Sequence, residues 1–203
     1  MYFYLFKRSR LLLVPVLLWL AACATQIPVD EQLIRDQWQA NRDKLTQLDK
    51  WELKGRIAVS MKKQAWSASL QWAQERQNYQ INIIAPLGQG SIELEGDGHG
   101  VSMRVAKNRI LHADAPETLL RKSLGWSAPV SGLRYWIRGI PVPGKRVTNL
   151  LLDGKGRVNQ MQQSGWQISY SRYSSRGDIE LPGKIALQNG RIKLRLVIRD
   201  WLI

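Results

Sequence analysis

The spacing of apolar residues changes along the chain, from a helical repeat to a strict alternation. After Asp30, the apolar residues Ile34, Trp38, Leu45 and Leu48 recur at helical spacing, with charged and Gln side chains between them. This spacing predicts one amphipathic helix over residues 30–48, with Asp30 as its N-cap. From residue 51 onward apolar and polar positions alternate instead. Alternation predicts β-strands that have one dry face and one wet face.

The alternating segments are short and closely spaced. The links at residues 73–78, 85–90 and 96–100 are too short for crossovers, so they predict hairpins in an antiparallel meander. The strongest hairpin signal is Asn189-Gly190. Apolar positions of the segments include Trp51, Leu53, Ile57, Val59, Trp66, Ala68, Leu70, Trp72, Tyr79, Ile81, Ile83, Ile92, Leu94, Val101, Met103, Val105, Trp166, Ile168, Tyr170, Ile192, Leu194, Leu196 and Ile198.

Residues 116–139 interrupt the strand pattern. Pro116 suits a first helical turn, and residues 117–124 predict a short helix that Gly125 ends. A second short helix is predicted over 131–138, followed by a stiff Gly/Pro loop at 139–144. We expect about ten or eleven strands, a leading helix and this helical pair, and so many antiparallel strands curl toward a barrel. The fold class predicted is mainly β, with one domain over residues 30–203.

The first 22 residues have the composition of an export signal. Lys7, Arg8 and Arg10 precede an apolar run at residues 11–22, whereas a spanning helix needs roughly 20 apolar residues. A basic start, a short apolar run and small residues at its end describe a secretory signal peptide. We expect residues 1–22 to be cleaved and residues 23–29 to form a short tether.

Leu20-Ala21-Ala22-Cys23 resembles the lipobox of bacterial lipoproteins, and Cys23 is the only cysteine of the chain. By this resemblance Cys23 becomes the first residue and carries an S-diacylglycerol and an N-acyl group, with no other cofactor expected. The alternative is an ordinary signal peptide with a chance cysteine. Ala24 stands where, in enterobacteria-like sorting, an Asp retains lipoproteins in the inner membrane. The sequence therefore favours a lipid anchor in the outer membrane, facing the periplasm.

The net charge is +14, from 30 basic and 16 acidic residues. A basic balance is typical of proteins that bind nucleic acid or anionic surfaces. Arg191, Lys193, Arg195 and Arg199 form a positive stripe on the last strand. We expect no nucleic-acid partner, because an exported protein meets little nucleic acid. An anionic membrane surface or an acidic protein is the better interpretation.

Groups for catalysis or metal binding are scarce. His99 and His112 are the only histidines. His112 and Asp114 point the same way if both lie on one strand, but no nucleophile motif accompanies them. We expect no catalytic residue, no metal site and no enzymatic activity.

One turn between predicted strands has an apolar tip. Leu87 lies between Pro86 and Gly88 without a charged neighbour, although turn tips are usually Asn, Asp, Ser or Gly. Two interpretations stand side by side. Either Leu87 folds back onto the domain, or it is an exposed apolar finger beside a basic body, a shape that touches membranes.

As a set, five segments resemble the LolB family, the outer-membrane lipoproteins that receive other lipoproteins and insert them. The segments are Leu20-Ala21-Ala22-Cys23, Gly55-Arg56 after Trp51, Ile84-Ala85-Pro86-Leu87-Gly88, Leu133-Arg134-Tyr135-Trp136-Ile137-Arg138-Gly139-Ile140-Pro141, and residues 184–201 with their Asn189-Gly190 turn. The similarity spans residues 50–201 in register with the strands. Ala85 departs from the polar residue that the family often has there, which makes the tip more apolar.

The resemblance implies a strongly curved, incomplete antiparallel β-barrel whose apolar concave face is covered by helices. It implies that the cavity accepts the acyl chains of cargo lipoproteins from the soluble periplasmic carrier LolA. It also implies that Pro86, Leu87 and Gly88 form a membrane-insertion loop through which Leu87 promotes transfer into outer-membrane lipid. Transfer then follows an affinity gradient without ATP, because acyl chains are costly to leave in water. We expect the protein to be a monomer.

Individual cavity residues are harder to assign than the cavity. The candidates are Trp51, Ile57, Leu70, Trp72, Ile81, Ile83 and Trp136. Each of them can equally be ordinary core. A different class of function also stands open, a structural envelope lipoprotein that binds a protein or glycan through its basic face. A large internal apolar pocket favours the receptor, and a filled core with a flat charged surface favours the structural role.

Overall fold

The computed structural model describes residues 31–62, 64–88, 90–105 and 109–203. Three helices and thirteen strands lie in this part of the chain. The helices are α1 (Glu31–Thr46), α2 (Pro116–Leu124) and α3 (Val130–Trp136). The strands are β1 (Lys50–Met61), β2 (Gln64–Glu75), β3 (Asn78–Ile84), β4 (Ser91–Gly96), β5 (Val101–Val105), β6 (Arg109–Ala113), β7 (Val147–Leu152), β8 (Val158–Gln163), β9 (Trp166–Ser171), β10 (Ser174–Arg176), β11 (Ile179–Leu181), β12 (Lys184–Gln188) and β13 (Ile192–Leu202).

Eleven of these strands form one antiparallel sheet. Their order is β6-β5-β4-β3-β2-β1-β13-β12-β9-β8-β7. The first and last strands of the chain, β1 and β13, therefore pair near the middle of the sheet. The sheet is not closed, because β6 and β7 stand at its two edges. The predicted mainly β class and incomplete antiparallel barrel are confirmed as this open sheet with helices against it.

The register gathers the apolar side chains on one face of the sheet. Leu53 pairs with Trp72, Trp72 with Ile81, Ile81 with Leu94, and Leu94 with Met103. All five side chains of this row are buried. Since side chains alternate along a strand, the intervening residues face outward. The core therefore lies on the inner face, where α2 and α3 also pack.

Of the two helices on the inner face, α2 begins and ends as its sequence indicates. Pro116 opens α2, and Gly125 ends it with a left-handed backbone (φ 75°) and an N–H that donates to the Arg121 carbonyl. The second helix was predicted over residues 131–138, whereas α3 begins at Val130 and ends at Trp136. The N–H groups of Arg138 and Gly139 donate to carbonyls three residues back, so the α-helical pattern stops at Trp136.

Three short strands were not predicted from the sequence pattern. Strand β6 has mixed exposure along its five residues, so it lacks a clean dry face. Strands β10 and β11 have three residues each and form a hairpin outside the main sheet. The count of thirteen strands therefore exceeds the predicted ten or eleven.

Helix α1 packs beside the β7–β8 turn. The side-chain amide of Asn41 donates to the carbonyl of Lys155 at 3.3 Å. Gly156, with φ 65°, approaches the helix so closely that a Cβ atom would lie 2.6 Å from the Trp38 nitrogen. Arg138 holds the other end of α1, because its Nη1 donates to the carbonyls of Leu45 and Leu48 at 2.7 and 2.9 Å. Burial lowers the pKa of Arg138 to about 10.

Gly55 allows β1 and β13 to approach each other at a β-bulge. The pairing shifts between Lys54 and Gly55, so Arg199 has no partner on β1. A Cβ atom on Gly55 would lie 2.3 Å from the Val197 carbonyl oxygen. A side chain at position 55 would therefore clash with β13, which explains the glycine of the Gly55-Arg56 motif.

Candidate functional site

An apolar cavity lies between the inner face of the sheet and the helical segment α2–α3. Apolar side chains form its whole wall. The sheet contributes Ile57, Trp66, Leu70, Trp72, Ile81, Ile83, Ile92, Leu94 and Leu196, and the helical segment contributes Leu120, Leu124, Trp126, Ala128, Val130 and Leu133. No polar atom of this wall faces the cavity, so the wall suits a ligand that is itself apolar.

Five of the seven predicted cavity residues meet on this wall. They are Ile57, Leu70, Trp72, Ile81 and Ile83, from three adjacent strands. All five point inward from positions that the alternation rule selects. Their part in holding acyl chains stays a prediction.

The other two, Trp51 and Trp136, are buried outside the cavity lining. Trp51 packs against Trp72 and Trp201, with ring centroids 5.5 and 5.6 Å apart. Trp136 is 1% exposed, and its Nε1 donates to Oε1 of Gln163 at 2.7 Å. A buried indole N–H usually needs such a partner, so this bond holds the Trp136 ring beside β8.

Gln163 joins the helical segment to the sheet. Its Oε1 also accepts the N–H of Val142, and its Nε2 donates to the carbonyls of Val142 and Lys145, each at 3.0 Å. Both ends of the buried amide are thus satisfied. Trp136 therefore fastens α3 to β8.

The cavity is small, and a larger groove lies beside it. The cavity volume is about 40 Å³, whereas pockets that hold small ligands typically measure ~300–1,000 Å³. The groove has a volume of about 450 Å³ and runs past Ala85, Gly90 and Ser91 at the base of the Leu87 turn. Cavity and groove share the side chains of Trp66, Ile83, Ile92, Leu124 and Trp126.

An aromatic contact separates the two spaces. Trp66 on β2 and Trp126 in the α2–α3 link have ring centroids 5.6 Å apart and ring planes tilted by 51°. Both rings are half-buried. Both rings line the cavity as well as the groove, so this contact lies where the two spaces meet.

Leu87 lies at the tip of a 3-10 turn over Pro86–Gly88. Its side chain is 95% exposed, the highest exposure among the large apolar side chains of the described residues. Its backbone is left-handed, with φ 57° and ψ 23°, a conformation that costs a residue with a Cβ roughly 1–2 kcal/mol. The Ala85 N–H donates to the Gly90 carbonyl at 3.0 Å and closes the turn. Leu87 does not fold back onto the domain.

The two histidines lie on the surface. Asp97 Oδ1 accepts the backbone N–H groups of His99 and Gly100 at 2.7 and 3.0 Å. These hydrogen bonds, first that from His99, lower the pKa of Asp97. Within residues 31–62, 64–88, 90–105 and 109–203, no three His, Cys, Asp or Glu side chains are placed to hold a metal ion.

The predicted lipidation site and signal peptide lie outside the described residues. Among the helices of the described part, none combines the length and apolarity that crossing a membrane requires.

Sequence reasoning missed most of the helical wall of the cavity. Leu120 and Leu124 stand four residues apart on α2, a spacing that places them on one helix face. That spacing was a usable signal. Trp126 had none, because it lies in the link that follows Gly125 and belongs to no periodic segment.

Two solved structures share this fold at low sequence identity. A LolA-superfamily protein from Nitrosomonas europaea is 9% identical, with a TM-score of 0.51, and the match covers 85% of this chain and 92% of that one. A DUF1329 family protein from Desulfovibrio piger is 6% identical, with a TM-score of 0.52, and the match covers 84% and 91%. These likenesses concern the fold alone.

Sequence relatives are much closer. "Outer-membrane lipoprotein LolB" of Nitrosococcus oceani is 43% identical over 164 residues, which covers 81% of this chain and 82% of that protein. The protein of the same name from Alkalilimnicola ehrlichii is 39% identical over 197 residues, 96% of this chain and 98% of that one. The model of the family "Outer membrane lipoprotein LolB" matches residues 49–201. The chain therefore belongs to the LolB family of outer-membrane lipoproteins.

Proposed function

We propose that this chain is an outer-membrane-anchored receptor that takes lipoproteins from the soluble carrier LolA and inserts them into the outer membrane. One observation carries the proposal, the wholly apolar cavity beneath α2 and α3 in a member of the LolB family. Cargo acyl chains would lie against this wall, and Leu87 would contact the acceptor membrane. The name of the family, outer-membrane lipoprotein, supports the location.

The transfer needs no catalytic group in this scheme. Acyl chains move from one apolar environment to another, so the free-energy gradient between carrier, receptor and bilayer drives the reaction without ATP. We propose that the protein is not an enzyme. The structural alternative, in which the basic face binds a protein or glycan, is not favoured by the family membership.

Occupation of the cavity requires the walls to move. Because about 40 Å³ is too little for an acyl chain, the cargo would first lie in the adjoining groove and then separate Trp66 from Trp126. The groove begins at the base of the Leu87 turn. The acyl chains would therefore leave the protein beside the residue that touches the membrane.

The anchor is a separate part of the proposal. Residues 1–22 would be removed, Cys23 would carry the lipid, residues 23–29 would form the tether, and residues 30–203 would form the receptor. Intact-mass measurement of the protein from membranes is expected to show a lipidated Cys23 as the first residue. An unmodified Cys23, or cleavage at another bond, would disprove the anchor.

The Leu87→Glu variant tests the receptor. Because Leu87 is 95% exposed, the substitution should change the free energy of unfolding by no more than about 0.5 kcal/mol. Cargo should still load, since the cavity wall is intact. Delivery to liposomes should fail, because a carboxylate at the tip opposes burial in the apolar layer.

Leu151→Glu is the matched control, because Leu151 is also exposed, at 53%, but lies on the edge strand β7. This control should deliver cargo normally. Normal delivery of cargo by the Leu87→Glu variant would disprove the proposed role of Leu87. If the wild-type protein does not accept cargo from the carrier, the proposed receptor function is disproved.

A further inference from the structure

The end of the sheet that carries Leu87 is cationic. The β1–β2, β3–β4, β5–β6 and β12–β13 hairpins all turn at this end, as the strand registers show. Among the residues that the structure describes, four exposed cations stand at or beside these turns, namely Lys62, Arg109, Arg191 and Lys193. We call these four residues the cationic rim.

The rim has no acidic counterpart in the sequence around it. Residues 53–74, 76–92, 98–113 and 181–199 contain no Asp or Glu. Within the described part of the chain, no rim side chain takes part in an ion pair. The positive potential of the rim is therefore not cancelled locally.

The rim adjoins the apolar elements that the proposed function uses. Arg109 lines the same groove as Ala85, Gly90 and Ser91, the residues that flank the Leu87 turn. Lys193 borders a hollow of about 660 Å³ that also includes Trp66, and Trp66 lines the groove as well. Along this border of the sheet, the rim cations thus stand on both sides of the Leu87 turn.

We propose that the cationic rim docks this end of the sheet on the anionic phospholipid headgroups of the membrane, with Leu87 directed into the lipid. Charge complementarity selects this occupant, because a phosphate-rich surface supplies partners for unpaired Lys and Arg side chains around an exposed Leu. The inference rests on the proposed function. It adds that docking depends on anionic lipid and on a defined orientation of the body, beyond what the lipid anchor provides.

A labelled full-length protein tests the docking. The variant Ser91→Cys places a thiol at an exposed position beside the turn, and with Cys23 lipidated it is the only free thiol. The thiol receives an environment-sensitive fluorophore, and the protein is anchored in phosphatidylcholine vesicles with or without phosphatidylglycerol. A lipid-borne quencher should quench the label strongly only when phosphatidylglycerol is present, and high salt should reverse the quenching.

Two variants of equal charge separate the rim from net charge. The rim variant carries Lys62→Gln, Arg109→Gln, Arg191→Gln and Lys193→Gln. The control variant carries Lys50→Gln, Arg76→Gln, Lys155→Gln and Arg172→Gln, all exposed and all at the opposite end of the sheet. Docking should weaken about fivefold for each rim charge removed and stay nearly unchanged in the control. Equal melting temperatures show that both variants are folded.

Several outcomes would overturn the proposal. Equal losses of docking in both variants would mean that net charge alone attracts the protein. Equal docking on vesicles with and without phosphatidylglycerol would show that docking does not depend on anionic lipid. A rim variant that docks normally but no longer binds the carrier would make the rim a protein-docking surface instead. Cargo delivery on the same vesicles is recorded separately. A wild type that docks but never delivers contradicts the proposed function and leaves the docking result intact.

Discussion

The two ends of the β-sheet use charge in opposite ways. At the end opposite the rim, cations meet carboxylates: Lys50 with Glu75 at 3.3 Å, and Arg157 with Asp153 and Glu180 at 2.6 and 2.9 Å. At the end with Leu87, the cations of the rim have no ion-pair partner among the described residues. Charges that pair within the fold hold turns together, whereas charges left unpaired remain available to another surface.

The paired end is also a structural junction. Arg157 lies over the ring of Tyr173, with its guanidinium carbon 4.7 Å from the ring centroid. The hydroxyl of Tyr173 donates to the Val158 carbonyl at 2.6 Å, and burial raises the pKa of this tyrosine well above its usual range. One cation therefore links the β7–β8 turn to the β10–β11 hairpin.

The largest expected effect on stability lies at this junction. Replacing Arg157 by Met leaves Asp153 and Glu180 without their partner. Because all three side chains are 20–32% exposed, we expect a loss of about 2–3 kcal/mol, below the cost of breaking a fully buried pair. The melting temperature should fall by roughly 4–12 °C. The same replacement at Lys193 should leave the melting temperature unchanged, and similar losses at both positions would contradict the contrast between the ends.

Acid should weaken the paired end before it affects the rim. Burial of the Asp153 carboxyl favours the neutral form, but hydrogen bonds from Arg157 outweigh it and lower the pKa below 3.8. The native state therefore binds fewer protons than the unfolded state, so the stabilisation is present above pH 3.8 and is lost as the pH falls through the lowered pKa. Melting curves of wild type and Asp153→Asn across this range should converge at acid pH. A constant difference between them would contradict the assignment.

Only a small effect on stability is expected at Leu87, where function should change most. Leu87→Gly relieves a left-handed backbone but adds freedom to the unfolded chain, and these terms nearly cancel, within about 1 kcal/mol. The rim is untouched, so docking on anionic vesicles should persist while delivery of cargo falls. This variant separates charge-driven docking from apolar insertion. Normal delivery by Leu87→Gly would show that the apolar tip is not needed.

Periodicity in the sequence was enough to predict the sheet and its dry face. Leu70, Trp72 and Ile81 lie on the cavity wall as the alternation predicts, because side chains alternate between the two faces of any β-strand. Periodicity was not enough to distinguish residues that line the cavity from residues of the ordinary core. Trp51 and Trp72 are on the same face, but only Trp72 lines the cavity, since Trp51 packs toward Trp201. That choice depends on partners that are distant in sequence, namely Trp201 on β13 for Trp51 and the α2–α3 segment for Trp72.

The cationic rim was harder to predict than the apolar face of the sheet, because its residues are also distant in sequence. The basic stripe of β13 is visible in the sequence, because Arg191 and Lys193 are neighbours on one strand. Lys62 and Arg109 join them only because the β1–β2, β5–β6 and β12–β13 hairpins turn at one end of the sheet. A surface assembled from separate hairpins has no signature along the chain.

The near-collapse of the cavity has a thermodynamic consequence for cargo. The empty protein holds the Trp66 and Trp126 rings in contact, and under the proposed function a molecule admits an acyl chain only after these rings have parted. If the open form is a fraction f of the population, the apparent affinity for cargo is reduced by the factor f, about a hundredfold for one molecule in a hundred. The bilayer carries no such penalty. Closure of the empty state therefore weakens the hold on cargo and favours its release into the membrane.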